Sequence, residues 1–159
     1  MLPLFGDRKP ARVLGTPFNE QFASFSPDGR WIAYSSDESG TSQVYVQGFP
    51  APGGKWQIST SASFITVFPR WRSDGKELFY DRTGQMMAVD LTGTMPGGPF
   101  KAGTPQELFQ GLTNLPPHNY DVTPSGQRFL VLAATNLAAG PAPIVVVLNW
   151  KTGLLGGQK

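Results

Sequence analysis

Residues 25–34 read Phe25-Ser26-Pro27-Asp28-Gly29-Arg30-Trp31-Ile32-Ala33-Tyr34, and variants of this phrase return at residues 71–80 and 122–131. Their turn pairs, Asp28-Gly29, Asp74-Gly75 and Ser125-Gly126, are spaced 46 and 51 residues apart. In each copy the turn pair separates two apolar runs. Asp-Gly is a strong hairpin signal, because glycine readily adopts the positive φ of a tight turn and aspartate bonds its own backbone. The phrase therefore predicts three antiparallel β-hairpins.

The period of the repeat predicts the architecture. Units of about 40–50 residues that each supply several short strands are typical of β-propeller blades. We therefore expect an all-β chain that forms a partial β-propeller of about three four-stranded antiparallel blades. The blade parts are expected at about 1–19, 20–63, 64–114 and 115–150, followed by a flexible C-terminal tail over 151–159.

The strands of each unit follow from the alternation of apolar and polar residues. They are expected at 20–25, 30–36, 43–49 and 55–59 in the first unit, at 67–71, 76–81, 85–91 and 106–109 in the second, and at 118–122, 128–133 and 143–149 in the third. In the second of these strands, Trp31, Ala33 and Ser35 should share one face. Large aromatic side chains should fill the space between blades; they are Trp31, Trp56, Trp71, Phe25, Phe79, Tyr34 and Tyr80.

The two ends of the chain predict an incomplete ring. The third unit has no fourth strand, whereas residues 11–14 occupy the position of a fourth strand before the first unit. We expect them to complete the last blade. Three blades do not close a ring, and the open apolar sheet faces would favour association. The expected partner is a second copy of the chain, giving a six-bladed homodimer, or the missing blades of a longer chain.

Composition excludes several classes of function. The 159 residues include no cysteine, so disulfides and thiolate zinc sites are excluded. A formal net charge of +2 gives no support for nucleic acid as a partner. No apolar run approaches the ~20 residues of a membrane span, and no signal peptide is recognised. The expectation is a soluble protein of unknown compartment.

The repeated phrase resembles the repeats of TolB-type β-propellers. Residues 4–10, 36–40, 69–80 and 146–150 resemble, more narrowly, the C-terminal part of propeller sensor regions in bacterial proteins that carry a Ser/Thr kinase or winged-helix domain upstream. The resemblance implies a scaffold that binds a protein or a small ligand. It also implies the bacterial cytoplasm or periplasm if the chain is part of a longer protein. It supplies no catalytic motif.

Propeller topology sorts the charged side chains onto two rims. The first rim should gather acids and amides, namely Asn19, Glu20, Asp37, Glu38, Asp81 and Asn114. The opposite rim should gather most of the bases, including Lys55, Arg72 and Lys76. The chain would then be polarised, although scattered solvated charges are an alternative. The predicted ligand-binding residues of the first rim are Asn19, Asp37, Glu38 and Asn114.

Two functions fit these observations. The first is a non-catalytic binding module that presents its rim loops to a protein or a small ligand. The second is a Ca²⁺-dependent hydrolase of lactones or esters at the acidic mouth of the propeller channel. Calcium prefers oxygen ligands, and it would be held by Glu20, Asn119 and Asp121. His118 and Asp121 would be catalytic, with His118 as general base; the alternative is that His118 is simply a loop residue.

Overall fold

The computed structural model describes Gly6 and residues 9–10, 12–50, 53–61, 65–92, 100–113 and 120–132, together with the backbone of 144–148. Within these residues every regular element is a β-strand, and the strands form three antiparallel sheets in chain order. The all-β prediction is therefore confirmed. No helix in this part of the chain is long and apolar enough to cross a membrane.

Each sheet is built from strands that are neighbours in sequence. The first sheet contains β1 (Glu20–Phe25), β2 (Trp31–Ser36), β3 (Gln43–Gly48) and β4 (Lys55–Gln57) in that order. The second contains β5 (Thr66–Trp71), β6 (Glu77–Arg82) and β7 (Gln85–Thr92), and both β8 (Lys101–Ala102) and β9 (Gln106–Gln110) pair with β7. The third contains β10 (Tyr120–Val122), β11 (Arg128–Leu132) and β12 (Ile144–Leu148).

The strands lie within a few residues of their predicted positions, apart from β8, which the sequence did not indicate. The prediction of a strand at residues 11–14 is wrong for the described residues 12–14, which belong to no strand. Val13 and Leu14 instead pack against an apolar cluster on the first sheet, formed by Ile32, Tyr34 and Tyr45. Spacing alone suggested a strand there, whereas burial of apolar surface directs these residues onto a sheet face.

Two larger apolar clusters join the sheets. One combines Ala33 and Val46 of the first sheet with Leu78 and Tyr80 of the second. The other combines Phe79 of the second sheet with Phe129 of the third, and these two rings meet edge to face at 5.0 Å between centroids. Ala33 lies in a different cluster from Ile32 and Tyr34, as the alternation along β2 predicts.

Most of the predicted core aromatics are buried or pack against the core, but Phe25 is not. Its side chain is 50% exposed and packs edge-on against Phe49, with the ring centroids 5.1 Å apart. Trp71 holds the matching position one repeat later and is buried. Its indole Nε1–H donates to the carbonyl of Ser24 at 3.1 Å. The indole of Trp71 therefore reaches the first sheet, whereas Phe25 lies beside the first of the three repeated turns.

The three repeated hairpin turns contact one another in order. The turn at Gly75 approaches Pro27 of the first turn, since a Cβ added at Gly75 would lie 3.9 Å from the proline Cδ. Ser73 of the second turn donates its N–H to the carbonyl of Pro124 in the third at 3.1 Å. The repeated phrase thus specifies both the hairpins and contacts between them.

Charged side chains reinforce the second turn. The Asp74 carboxylate accepts the Arg72 Nε–H at 2.7 Å and the Lys76 backbone N–H at 3.0 Å. The bond from Arg72 is the largest of the effects that lower the pKa of Asp74 below its usual value. Arg72 also pairs with Glu77, whose side chain is only 4% exposed. The Arg72 stem also lies against the third turn, since a Cβ added at Gly126 would be 2.9 Å from its Cδ.

We predict that Gly126→Ala destabilises the protein more than Gly29→Ala. Both glycines have nearly the same left-handed backbone, with φ of +70° and +69°. A Cβ at Gly29 would meet nothing within 4 Å, but one at Gly126 would lie 2.9 Å from Arg72 Cδ and 3.1 Å from Phe79 Cζ. We expect a cost of about 1 kcal/mol for Gly29→Ala from backbone strain. Crowding adds roughly 1–3 kcal/mol for Gly126→Ala.

The free energy of unfolding in urea measures this difference. Gly29→Ala is the matched control for backbone strain. Equal losses in the two variants would show that the third turn does not pack on the second.

Candidate functional site

A cavity of about 370 Å³ lies between the first and second sheets, against β1 and β5. We call it the bulge cavity, and it is lined by Gln21, Phe22, Ile65, Val67, Phe68, Asp81 and Thr83. Its volume is within the usual range of small-molecule sites, roughly 300–1,000 Å³. Ile65 is 59% exposed, so one wall of the cavity presents apolar surface to solvent.

Two β-bulges place the aromatic rings of the cavity. The pairing of β1 with β2 shifts register between Gln21 and Ser24, and that of β5 with β6 shifts between Val67 and Arg70. Phe22 and Phe68 lie inside these irregularities with φ of 57° and 58°. Their ring centroids are 4.2 Å apart and their planes are inclined by 51°. The two bulges, 46 residues apart, therefore bring together one pair of rings.

Side chains from the following sheet hold both bulges. The Trp71 indole donates to the Ser24 carbonyl in β1, and the Tyr120 hydroxyl donates to the Phe68 carbonyl in β5. Burial is the main cause that raises the pKa of Tyr120 well above its ordinary value. The negative charges of Asp81 and Asp121 act in the same direction. Tyr120 therefore keeps its proton and acts as a permanent donor to the bulge.

The turn between β6 and β7 forms another wall of the cavity. Thr83 and Gly84 both have positive φ, 49° and 87°, as a tight hairpin turn requires. Thr83 donates its N–H and its hydroxyl to the Ile65 carbonyl, at 3.1 and 3.2 Å. Phe22, Phe68 and Thr83 are the non-glycine residues with positive φ in the described part of the chain, and all three line this cavity. Such strain concentrates at functional sites.

Among the described residues that line the cavity, Asp81 is the ionisable one. It is 2% exposed, and its Oδ1 accepts the Gly84 N–H at 2.7 Å. A buried carboxylate is costly unless hydrogen bonds or opposite charges compensate it. The sequence indicated a first-rim position for Asp81 but gave no sign that the residue would be enclosed beside two phenylalanine rings.

The structure brings together some of the residues predicted for the first rim. The Asn19 N–H donates to Asp37 Oδ1 at 2.9 Å, and the Asn19 side chain accepts Gln21 Nε2–H at 3.0 Å. Because Gln21 also lines the bulge cavity, the predicted pair of Asn19 and Asp37 is connected to it. Glu20 accepts the Thr16 hydroxyl at 2.7 Å.

One contact joins residues that were predicted on opposite rims. Lys55 Nζ and Glu38 Oε2 form an ion pair at 2.5 Å, and the same ammonium lies 5.5 Å from the centroid of the Tyr45 ring. The lysine side chain is long enough to extend along a sheet face. The proposed separation of charges between rims therefore fails for this pair, and Glu38 is already bound within the chain.

The predicted calcium and catalytic residues are not assembled in the described part of the chain. Asp121 is exposed, and its Oδ1 accepts the N–H of Val122 at 2.8 Å. Across the described ranges, no three or more His, Cys, Asp or Glu side chains are grouped as metal ligands. Asn114, His118 and Asn119 lie outside those ranges. The site of Glu20, Asn119 and Asp121, with His118 as base, stays a prediction.

Sequence reasoning missed the residues that form the cavity. Phe22, Ile65, Phe68 and Thr83 were not among the predicted site residues. The available signal was the 46-residue spacing of the two phenylalanines, which equals that of the first two turns. Their left-handed backbone could not be inferred, because phenylalanine rarely adopts a positive φ.

Comparison with known proteins supports the fold alone. No protein-family model and no curated protein sequence matches the chain. A similar solved structure, from Bacteroides uniformis ATCC 8492, is described as "a putative 6-phosphogluconolactonase". Its TM-score is 0.50 and its sequence identity is 16%, and the match covers 85% of this chain and 42% of that one. TolB from Acinetobacter baumannii gives a TM-score of 0.41 and 14% identity over 86% and 43%. The chain thus spans about two fifths of either structure. The likeness to the first supports the antiparallel all-β fold.

We predict that Tyr120→Phe lowers the free energy of unfolding by about 1–2 kcal/mol at neutral pH, because the buried Phe68 carbonyl loses its donor. The deficit should narrow above pH 10, the ordinary tyrosine pKa. There the unfolded wild-type chain releases the Tyr120 proton while the folded chain retains it, so wild-type stability falls. Tyr120→Phe has no ionisable hydroxyl at this position, so this loss of stability does not occur in the variant.

Urea unfolding at neutral and alkaline pH measures both effects. If the two proteins are equally stable at neutral pH, the hydroxyl does not hold the bulge. A deficit that widens above pH 10 would contradict the raised pKa of Tyr120.

Proposed function

We propose that the chain is a β-propeller-type binding module whose bulge cavity receives an apolar part of a ligand. The observation that carries the proposal is that three strained non-glycine residues from two sheets line one cavity. Strained backbone persists where surrounding structure holds it and is characteristic of ligand sites. The phenylalanine rings and the exposed Ile65 offer apolar contact, while Gln21, Asp81 and Thr83 offer polar groups.

We propose further that the three sheets are propeller blades. A second copy of the chain, or further blades of a longer chain, would complete the ring. The first sheet's cluster of Ile32, Tyr34 and Tyr45 is already covered in part by Val13 and Leu14. Leu130 of the third sheet, in contrast, is 47% exposed. We therefore expect ring closure to use the third sheet.

A homodimer predicts a solution mass of twice 17.2 kDa. Sedimentation equilibrium measures it, and Leu130→Glu should shift the protein towards monomer because it places a charge in the contact. A monomer at every concentration would exclude closure by a second copy.

The hydrolase hypothesis has no observation of its own in the described residues. Glu20 binds Thr16 and Asp121 binds the N–H of Val122, so neither is shown in a ligand cluster. The description as a lactonase applies to the Bacteroides protein alone. Calcium-dependent hydrolysis therefore stays a prediction from sequence, and the binding module is the function that we propose.

We predict saturable binding of a neutral aromatic probe, benzamide, in the bulge cavity. Its addition should shift the backbone amide resonances of Gln21, Ile65 and Thr83 in NMR spectra. Ile65→Ala should weaken this binding roughly fivefold, because about 1 kcal/mol of apolar contact is lost.

Phe25→Ala is the matched control. Phe25 is also a half-exposed apolar side chain, but it lies outside the cavity, so its loss should leave the benzamide affinity unchanged. The absence of saturable shifts in the wild-type protein, or equal effects of the two variants, would overturn the proposal.

A further inference from the structure

We infer that the bulge cavity selects a small organic cation, with its apolar body against Phe22 and Phe68 and its amidinium, guanidinium or ammonium group on the Asp81 carboxylate. This inference rests on the proposed binding function and specifies the class of ligand. It is carried by three features of the cavity: its charge, its aromatic rings and its polar border.

The charge of the cavity comes from Asp81. Among the described residues, the other lining side chains are Gln, Thr and apolar residues, so Asp81 carries the formal charge of this part of the lining. It makes a bond from Gly84 and at least one further interaction within the chain. A carboxylate has about four acceptor positions, so a ligand donor can bind alongside these partners. Because Asp81 is 2% exposed, an added charge-assisted bond would be strong.

Arg70 and Arg82 are not among the described residues that line the cavity, and both make contacts within the chain. The Arg82 guanidinium contacts Gln85 at 2.8 Å and Glu107 at 3.4 Å. Arg70 donates to the Pro69 carbonyl at 3.1 Å. The positive charge of Arg70 lowers the pKa of Tyr120 and the negative charge of Asp81 raises it, so both charges act on the start of β10.

The two rings suit the body of such a ligand. With centroids 4.2 Å apart and planes inclined by 51°, Phe22 and Phe68 do not stack flat on each other. A cation near the face of a phenylalanine ring gains roughly 0.5–2 kcal/mol, more when water is excluded. The cavity therefore combines aromatic surface with a carboxylate, which is the usual chemistry for recognising organic cations.

Acidic side chains also lie near the border of the cavity. Gln21 lines it and binds Asn19, which in turn binds Asp37. Glu20 is adjacent in sequence and accepts the Thr16 hydroxyl. Acidic groups beside a concave site raise the local concentration of cations. The acidic rim predicted from sequence is thereby assigned a role in attracting an organic ligand.

Benzamidine and benzamide test the inference, because they have nearly the same shape and differ in charge. We expect wild-type protein to bind benzamidine at least tenfold more tightly than benzamide in NMR titrations at low salt. Asp81→Asn keeps the oxygen that accepts the Gly84 N–H but removes the charge. In this variant the benzamidine affinity should fall to within about twofold of the benzamide affinity.

Asp90→Asn is the matched charge control, since Asp90 is an exposed acid of β7 outside the cavity, and it should retain the tenfold preference. If Asp81→Asn does not fold, the Asp81 carboxylate ¹³C resonance of the wild-type protein decides: benzamidine should shift it and benzamide should not.

Each outcome separates the two proposals. Equal binding of the two probes by wild-type protein, or a preference that survives Asp81→Asn, overturns cation selectivity while the binding function stands. Binding of neither probe overturns both.

Discussion

The left-handed backbone at Phe22 and Phe68 is the constraint on which the contact between the sheets depends. A non-glycine residue in this conformation costs about 1–2 kcal/mol, so it persists only where other interactions determine it. In β1 the carbonyl of Ser24 is held by Trp71, and in β5 that of Phe68 is held by Tyr120. Each donor comes from the following sheet. The bulges and the packing of neighbouring sheets therefore stabilise each other.

A buried polar network fixes the connection between the first two sheets. Ser59 donates its hydroxyl to Gln43 Oε1 at 2.7 Å and lies 2.8 Å from the Thr66 hydroxyl. Thr66 in turn donates its N–H to the Ser42 carbonyl at 2.9 Å. Gln43, Ser59 and Thr66 are each no more than 2% exposed. Since Thr66 follows Ile65 directly, this network also positions one wall of the bulge cavity.

Most of the fold could be predicted from the sequence because its signals are local. The Asp-Gly turns and the alternation along Trp31–Ser36 need only the chemistry of neighbouring residues. The features of the fold that were not predicted depend on interactions between residues that are distant in sequence. The exposure of Phe25, the packing of Val13 and Leu14 on the first sheet, and the pairing of Lys55 with Glu38 all depend on which surfaces meet in space.

The candidate site was less predictable for the same reason. Asn19 and Asp37 were identified as rim residues, and they do contact each other. The cavity beside them depends on two bulges that no local pattern marks. The preference of calcium for oxygen ligands directed the sequence-based site towards Glu20 and Asp121. The positive-φ residues of the described structure, in contrast, are Phe22, Phe68 and Thr83.

The choice of residue at the bulges favours a role beyond sheet geometry. Glycine adopts positive φ without strain and is the usual residue at such a bulge position. The chain contains 19 glycines and uses them at its hairpin turns, where Gly29, Gly75 and Gly126 have φ of about 70°. At the two bulges it places phenylalanine instead. Had the bulge served only to bend the strand, glycine would have sufficed. The strained backbone instead positions two rings that pack in the apolar cluster with Phe79 and Phe129 and that also line the bulge cavity.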